Sequence, residues 1–257
     1  MFQASKLEII MNPEIIRGKW IITGFHGLGY IGYLTSRFLV ETALDEGNGK
    51  RVGFALSRFM PPFCEVSNGV CKLPYEFYEI GNAVVLFIRM QTILEEQYLM
   101  ADAITELAKQ NDAKGFVLLG GIDIGAFHEE EPSIVYVHNK PFESVLQDFK
   151  LNIKKAPNGI VVSGGIALFL AYAEYRNIPA IALFAPTKRG IQDFKGAAEL
   201  AITVTNLLNL PINPDRIREK MRKRLAEAEV EAKIRRKIEQ LAQRERENVE
   251  DVSQLFT

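Results

Sequence analysis

Short apolar runs that stop at glycines alternate with segments of helical periodicity along most of this chain. The runs at 19–25, 83–89 and 115–120 are β-prone, and the last two are continuously apolar, which is typical of strands covered on both faces. Segments 30–44 and 95–110 carry apolar residues at helical spacing. Strands that alternate with helices across short turns favour an α/β three-layer sandwich, in which helices flank a mostly parallel sheet.

The remaining segments extend the same alternation. The sequence predicts further strands at 51–59 and 180–184, and further helices at 166–176 and 194–208. Asn68-Gly69 predicts the turn of a β-hairpin over 66–78. We also expect strands to end at Gly120-Gly121 and, after the run 160–163, at Gly164-Gly165. Segment 123–144 is predicted to be an excursion over the end of the sheet, with an acidic turn and a strand at 133–139.

Composition and charge narrow the class of protein. The chain has 257 residues, of which 47% are hydrophobic, so one α/β domain can bury a full core and leave residues for an appendage. A balance of 31 Lys and Arg against 32 Asp and Glu gives no basic bias, so no nucleic-acid partner is expected. We find neither a signal-peptide pattern nor an apolar run of about 18 residues, so we expect a cytoplasmic protein without a membrane partner.

The two cysteines, Cys64 and Cys71, fit neither a disulfide scaffold nor a zinc knuckle, because they are few and wrongly spaced. We therefore expect both thiols to be packed in the structure. A redox pair is the alternative, and it depends on their geometry.

The composition changes sharply at residue 213. Segment 213–248 has no glycine and no aromatic residue, and its one proline lies in the first turn, which predicts a single long helix capped by Asn213 or Asp215. At about 1.5 Å per residue this helix is a rod of about 50 Å, longer than the core needs. It has 12 Lys and Arg against 8 Asp and Glu, and we expect it to project or to pack between subunits. The predicted division is therefore a core at 1–212, the rod at 213–248 and a tail at 249–257.

The sequence Gly27-Leu-Gly29-Tyr-Ile-Gly32 follows a predicted strand and precedes a predicted helix, as the dinucleotide fingerprint requires. The acid that would bind the ribose is missing, because 51–59 contains no carboxylate. Similar glycine pairs stand at Gly120-Gly121 and Gly164-Gly165. They suggest that such turns serve, at least in part, to connect a strand with the element that follows it. An enzyme that binds a nucleotide or another small ligand at the turn from Gly27 to Gly32 is the alternative function.

Other catalytic patterns are weaker. His26, His128 and His138 lie far apart in the sequence and lack the spacing of a zinc motif, and a solvated acidic loop is the simpler interpretation of 128–131. Ser163 lacks the flanks of a nucleophile elbow. No phosphate-binding loop of the GxxxxGK[ST] type is present. We therefore predict no catalytic residues, no metal, no cofactor and no enzymatic activity.

The order of several motifs resembles the archaeal relatives of the proteasome assembly chaperones, of the proteasome assembly chaperone 2 type. The motifs are the Ile22–Phe25 run with Gly27, Gly29 and Gly32, the segment that ends at Pro61-Pro62, the Gly120-Gly121 pair, and Ser163-Gly164-Gly165 before a helix. The resemblance covers about 15–210. It implies an α/β core, a homo-oligomer, with a tetramer or a pentamer both open, no catalytic activity, and a role in assembling or activating the 20S proteasome.

The last three residues, Leu255, Phe256 and Thr257, are the predicted partner-binding site. The resemblance implies this, because proteasome activators end in a hydrophobic residue, tyrosine and any residue. A terminal carboxylate can pair with a lysine between two subunits of the α-ring, while the side chains fill the pocket. Phe256 stands where tyrosine is usual, which removes one hydroxyl.

Two alternatives stay open for this tail: it is a frayed end, or it is buried in its own oligomer while the chain binds a related family protein as a scaffold.

Overall fold

The computed structural model describes residues 7–126, 133–149, 151 and 153–254. Its strands are β1 Glu8–Met11, β2 Trp20–Gly24, β3 Gly49–Leu56, β4 Glu65–Ser67, β5 Val70–Lys72, β6 Tyr75–Ile80, β7 Ala83–Ile88, β8 Gly115–Asp123, β9 Val135–His138, β10 Lys154–Lys155 and β11 Ala180–Thr187. Its α-helices are α1 Ile31–Asp45, α2 Leu94–Gln110, α3 Gly164–Tyr175, α4 Phe194–Leu208 and α5 Pro214–Gln254. Short 3-10 turns occupy several of the connections.

In the described part of the chain, nine strands form one sheet in the order β1-β3-β6-β7-β2-β8-β11-β9-β10. The centre, from β7 through β2 and β8 to β11, is parallel. Antiparallel pairs flank this centre on both sides, where β6 pairs with β7 and β9 pairs with β11. The parallel centre has the crossover helices that a three-layer fold requires.

Alternate residues of the central strands face two separate cores. Trp20 and Ile22 of β2 pack on the face covered by α1, α4 and the start of α5, whereas Ile21 packs on the face covered by α2 and α3. This alternation follows from the strand period of two residues. The three-layer α/β sandwich expected from the sequence is therefore confirmed, together with the long C-terminal helix.

Several local predictions differ from the structure. Gly120 and Gly121 lie inside β8, because pairing with β11 continues in register to Asp123. Residues 160–163 form no strand, since β11 already has β8 and β9 as neighbours, and the segment lies beside the ends of β2, β8 and β11. The hairpin turns at Asn68-Gly69 as predicted, but its strands are only β4 and β5, and β6 belongs to the main sheet.

Both cysteines are free and exposed, so the expectation that they are packed is wrong. They belong to the β4–β5 hairpin, which forms a two-stranded sheet of its own apart from the main one. A hairpin of this size has no core in which to bury a thiol.

Among the described helices, none is both long enough and apolar enough to span a membrane.

Candidate partner-binding and ligand-binding sites

The predicted partner-binding residues Leu255, Phe256 and Thr257 lie outside the described residues, as does His128. Helix α5 ends at Gln254, immediately before these three residues, so it runs past the predicted rod end at 248 and into the predicted tail at 249–257. The structure therefore describes the support of the tail, and the tail's own role stays a prediction.

The base of α5 is anchored in the hydrophobic core. Ile217 is fully buried, and Met221 packs against the same cluster one turn later. The connection from α4 turns sharply at Asn209, which adopts the left-handed conformation with φ of 49°. Asn213 caps the helix as predicted, because its side-chain oxygen accepts a hydrogen bond from the amide of Asp215 at 2.9 Å.

Ion pairs between α5 and the end of α1 fix the same base. Lys220 Nζ lies 2.5 Å from Asp45, and Arg224 contacts Glu41 at 3.2 Å. The backbone amide of Asn213 donates to Glu46 at 3.2 Å. Basic residues on one helix thus meet acidic residues on the other, and these contacts set the direction in which α5 leaves the core.

Beyond this base the helix leaves the core. From Glu229 onward, every side chain that the structure describes on α5 is exposed. Val230, Ile234 and Ile238 are among them, each with more than half of its surface accessible. Their spacing of four residues places them on one side of the helix. An apolar strip on a projecting helix is available for contact with a partner.

The ion pairs at the rod base continue into the sheet. Glu41 also pairs with Arg37 at 2.6 Å, and Arg37 lies 3.4 Å from Glu65 on β4. Glu65 in turn pairs with Arg89 at 3.2 Å. The chain of charges therefore connects α5, α1, the hairpin and the end of β7.

The network ends at a buried carboxylate. Glu76 is fully buried, and it lies 2.7 Å from Arg89 and 2.6 Å from Arg51. The hydroxyl of Tyr78 donates to it at 2.6 Å. Burial acts to raise the pKa of Glu76, but the hydrogen bonds from Tyr78 and Arg89 outweigh it, and the pKa lies below its ordinary value of 4.5. The carboxylate is therefore ionised at neutral pH.

The glycines of the fingerprint are required by packing. A Cβ on Gly24 would lie 2.4 Å from the carbonyl oxygen of Gly32, and one on Gly32 would lie 2.3 Å from that of Leu119. Gly29 has φ of 63°, and a Cβ there would meet Thr187 at 2.6 Å. These close approaches let α1 cross the ends of β2 and β8.

Several backbone amides of this turn are already hydrogen-bonded within the turn. Gly27 and Tyr33 both donate to the carbonyl of Phe25, at 2.9 and 3.2 Å, and Tyr30 donates to Gly27 at 3.0 Å. A pyrophosphate at a dinucleotide fingerprint needs such donors to be free. The geometry therefore disfavours the alternative of a nucleotide at the turn from Gly27 to Gly32.

Gly32→Ala is expected to lower the free energy of unfolding by about 3 kcal/mol, because the new methyl group would overlap backbone atoms. Gly27→Ala is the matched control: no atom lies within 4 Å of its Cβ position, so we expect a loss below about 0.5 kcal/mol. Urea denaturation measures both. Equal losses in the two variants would contradict the packing role.

At the same edge of the sheet lies a cavity of about 600 Å³. It is bounded by the ends of β2, β8 and β11, by segment 158–163 and by the start of α3. Ser163 lies on its rim and His26 on its wall. In the described residues no group of three or more His, Cys, Asp or Glu side chains is placed to hold a metal ion. Gly27, the Gly120-Gly121 pair and Ser163-Gly164-Gly165, which the sequence analysis singled out separately, come together in its lining.

Comparison with known proteins gives a family and a fold. The model of the PAC2 family matches residues 21–232. Among solved structures, Pyrococcus furiosus PbaA, described as an archaeal homolog of proteasome-assembly chaperone, is 20% identical with a TM-score of 0.72, covering 98% of this chain and 100% of its own. P. furiosus PbaB, described as an archaeal proteasome activator, is 18% identical with a TM-score of 0.69, covering 90% and 99%.

A PAC2 family protein from Streptomyces avermitilis is 14% identical with a TM-score of 0.57, covering 82% of this chain and 94% of its own. At these identities the structural matches show a shared fold. No curated protein matches the chain.

Proposed function

The chain belongs to the PAC2 family, and we propose that it is a chaperone or adaptor for assembly or activation of the 20S proteasome, acting without catalysis and without ATP. The observation that supports this most is the family match together with the fold shared with PbaA and PbaB over almost the whole chain. The absence of a phosphate-binding loop from the sequence favours ATP independence.

In this proposal the chain docks through Leu255, Phe256 and Thr257. Helix α5 leads to these residues, and Ile217, Lys220 and Arg224 fix its base to the core. The terminal carboxylate pairs with a lysine in a pocket between two α-ring subunits, and the apolar side chains of the tail fill that pocket. A base fixed in this way presents the tail at a distance from the core.

We further propose that the active form is a homo-oligomer, a tetramer or a pentamer in the cytoplasm. Several tails on one assembly would engage several pockets of a ring, and binding of the first raises the effective concentration of the others. The rod carries 12 Lys and Arg against 8 Asp and Glu over 213–248, which favours approach to an acidic ring surface.

The test is capture of the full-length protein by immobilised 20S proteasome, combined with hydrolysis of a fluorogenic peptide and with assembly of free α-subunits. We expect capture together with a gain in hydrolysis or in assembly. Absence of capture at tens of micromolar protein would contradict the proposal.

A second candidate is a scaffold that binds a related family protein. The exposed Val230, Ile234 and Ile238 favour it, because an apolar strip on a projecting helix can pack against another helix. Native mass spectrometry of the protein isolated from its own cells separates the two functions. A related family protein without proteasome subunits supports the scaffold, and proteasome subunits alone exclude it.

A further inference from the structure

The 600 Å³ cavity lies where α/β sheets bind small molecules. It opens at the carboxyl ends of the neighbouring parallel strands β2 and β8. The strands β3, β6 and β7, which follow β2 in the chain, lie on one side of β2 in the sheet. Strand β8 and the later strands β9, β10 and β11 lie on its other side, so the direction in which strands are added reverses between β2 and β8. Such a reversal leaves a crevice between the two strands, and ligands of open α/β sheets bind there.

The cavity combines apolar walls with little charge. Its apolar lining includes Phe25, Leu119, Ile122, Ile166 and Phe184. The charged side chains among its described lining residues are Asp123 and Arg189, and they pair with each other at 2.5 Å. A ligand with a net charge would find no unpaired counter-charge here, so the cavity favours an uncharged one.

His26 adds a neutral polar group to the wall. Burial lowers the pKa of its imidazole to about 4, so the ring is uncharged at neutral pH. It stacks on Tyr33 with ring centroids 4.1 Å apart. Its Nδ1 is buried and has no hydrogen-bond partner within the described part of the chain. A buried polar atom without a partner destabilises the fold, and a hydrogen bond to a ligand would offset that cost.

Gln97 of α2 supplies an oriented acceptor. Its amide nitrogen donates to the carbonyl oxygen of Thr92 at 3.2 Å and to the hydroxyl of the same residue at 3.1 Å. These two bonds fix which end of the amide is the oxygen. The oxygen, Oε1, is buried, has no partner among the described residues, and lies 3.7 Å from the Cβ position of Gly164.

The start of α3 places donors beside this acceptor. The side chain of Ser163 makes no capping hydrogen bond, so the amides of the first turn of α3 are free of a side-chain cap. A Cβ on Gly165 would lie 2.4 Å from the ring of Phe25, so only glycine allows this approach. The first backbone N–H groups of α3 and the amide oxygen of Gln97 therefore border the same cavity.

We propose that this cavity binds a small uncharged heterocycle that carries a lactam edge. The ligand N–H donates to Gln97 Oε1, and the adjacent ligand carbonyl accepts from the backbone N–H groups at the start of α3. The ring packs between Phe25 and Ile166. A volume of about 600 Å³ accommodates one or two fused rings. Nucleobases and cyclic dipeptides both contain such an edge, and the site recognises the edge they share.

The experiment titrates the full-length protein by saturation-transfer NMR and isothermal calorimetry with uracil, hypoxanthine and an unsubstituted diketopiperazine. Two controls are 1,3-dimethyluracil, which keeps the ring but lacks the lactam N–H, and inorganic phosphate. We expect at least one lactam probe to bind, and its class identifies the source of the ligand. We expect dimethyluracil to bind about tenfold more weakly than uracil and phosphate not to bind.

Variants locate the site. Gln97→Met removes the acceptor at similar size and is expected to weaken lactam binding about tenfold. Gln110→Met, on an exposed part of the same helix, is the matched control and should leave binding unchanged. Ser163→Phe places a ring on the rim without removing a hydrogen bond and should also block binding, which covers the case that Gln97→Met unfolds. Absence of binding by all three lactam probes, or phosphate binding alone, would overturn the proposal.

Discussion

Deletion of residues 255–257 is expected to lower the affinity for the 20S proteasome by about a hundredfold, because each tail of an oligomer loses its terminal contact and the gain from multiple binding is lost with it. The removed groups are one carboxylate and the side chains of Leu255 and Phe256, which together supply the charge-assisted and apolar parts of the docking. Biolayer interferometry on immobilised proteasome measures the change.

Two variants control this measurement. Phe256→Tyr restores the hydroxyl that is usual at this position in activators, and we expect it to raise the affinity about tenfold. Ile238→Ser changes an exposed residue of the same rod and should leave the affinity unchanged. If Ile238→Ser weakened binding and the deletion did not, the contact would lie on the rod and the docking role of the tail would be wrong.

The largest effect on stability is expected for Arg89→Ala. Arg89 is almost completely buried, and its guanidinium pairs with Glu76 and Glu65 and stacks over Phe87 with its central carbon 4.4 Å from the ring centroid. Its removal leaves the fully buried Glu76 with Arg51 and Tyr78 as its partners among the residues that the structure describes. We expect a loss of about 3 kcal/mol in the free energy of unfolding, measured by urea denaturation.

An exposed pair gives the control for this loss. Arg17 pairs with Glu14 at 2.8 Å, and more than half of each side chain is accessible, so Arg17→Ala should cost less than about 1 kcal/mol. A double variant, Glu76→Leu with Arg89→Met, removes both buried charges and should be more stable than Arg89→Ala alone. A double variant less stable than Arg89→Ala would contradict the assignment of the loss to an uncompensated charge.

The same pair predicts a dependence on pH. The folded-state pKa of Glu76 lies below its ordinary value of 4.5, so its stabilising contribution is present above about pH 4.5 and is lost as the pH falls through the lowered pKa. Arg89→Ala removes one of the groups that lower the pKa. Its stability should therefore fall less than that of the unaltered protein between pH 6 and pH 3.

Strong local periodicity made most of the fold predictable. Helix α4 has the predicted bounds, α1 is shifted by one residue at both ends, and α2 begins one residue earlier than predicted, because each has a long apolar face that determines its position. The prediction that a strand ends at Gly120-Gly121 was wrong, because a pair of glycines is typical of a turn. The pair lies inside β8 because this strand pairs with β11, which is distant in the sequence.

The candidate sites were less predictable. The fingerprint glycines correctly predicted the strand, the turn and the helix. The spacing of glycines does not show that amides of this turn donate hydrogen bonds to the carbonyl of Phe25. The cavity joins Gln97 of α2, segment 158–163 and the ends of three strands, which come together only in the folded chain. The sequence signal that could have drawn attention to it is Gly164-Gly165, whose second member admits Phe25.

The most direct test of docking places a photo-crosslinking amino acid, p-benzoylphenylalanine, at position 256 of the full-length protein. Irradiation with 20S proteasome is followed by mass spectrometry of the crosslinked peptides. The proposal predicts crosslinks to α-subunits, at the pockets between neighbouring subunits. Crosslinks confined to this chain's own oligomer in the presence of excess proteasome would contradict it and would show that the tail is buried.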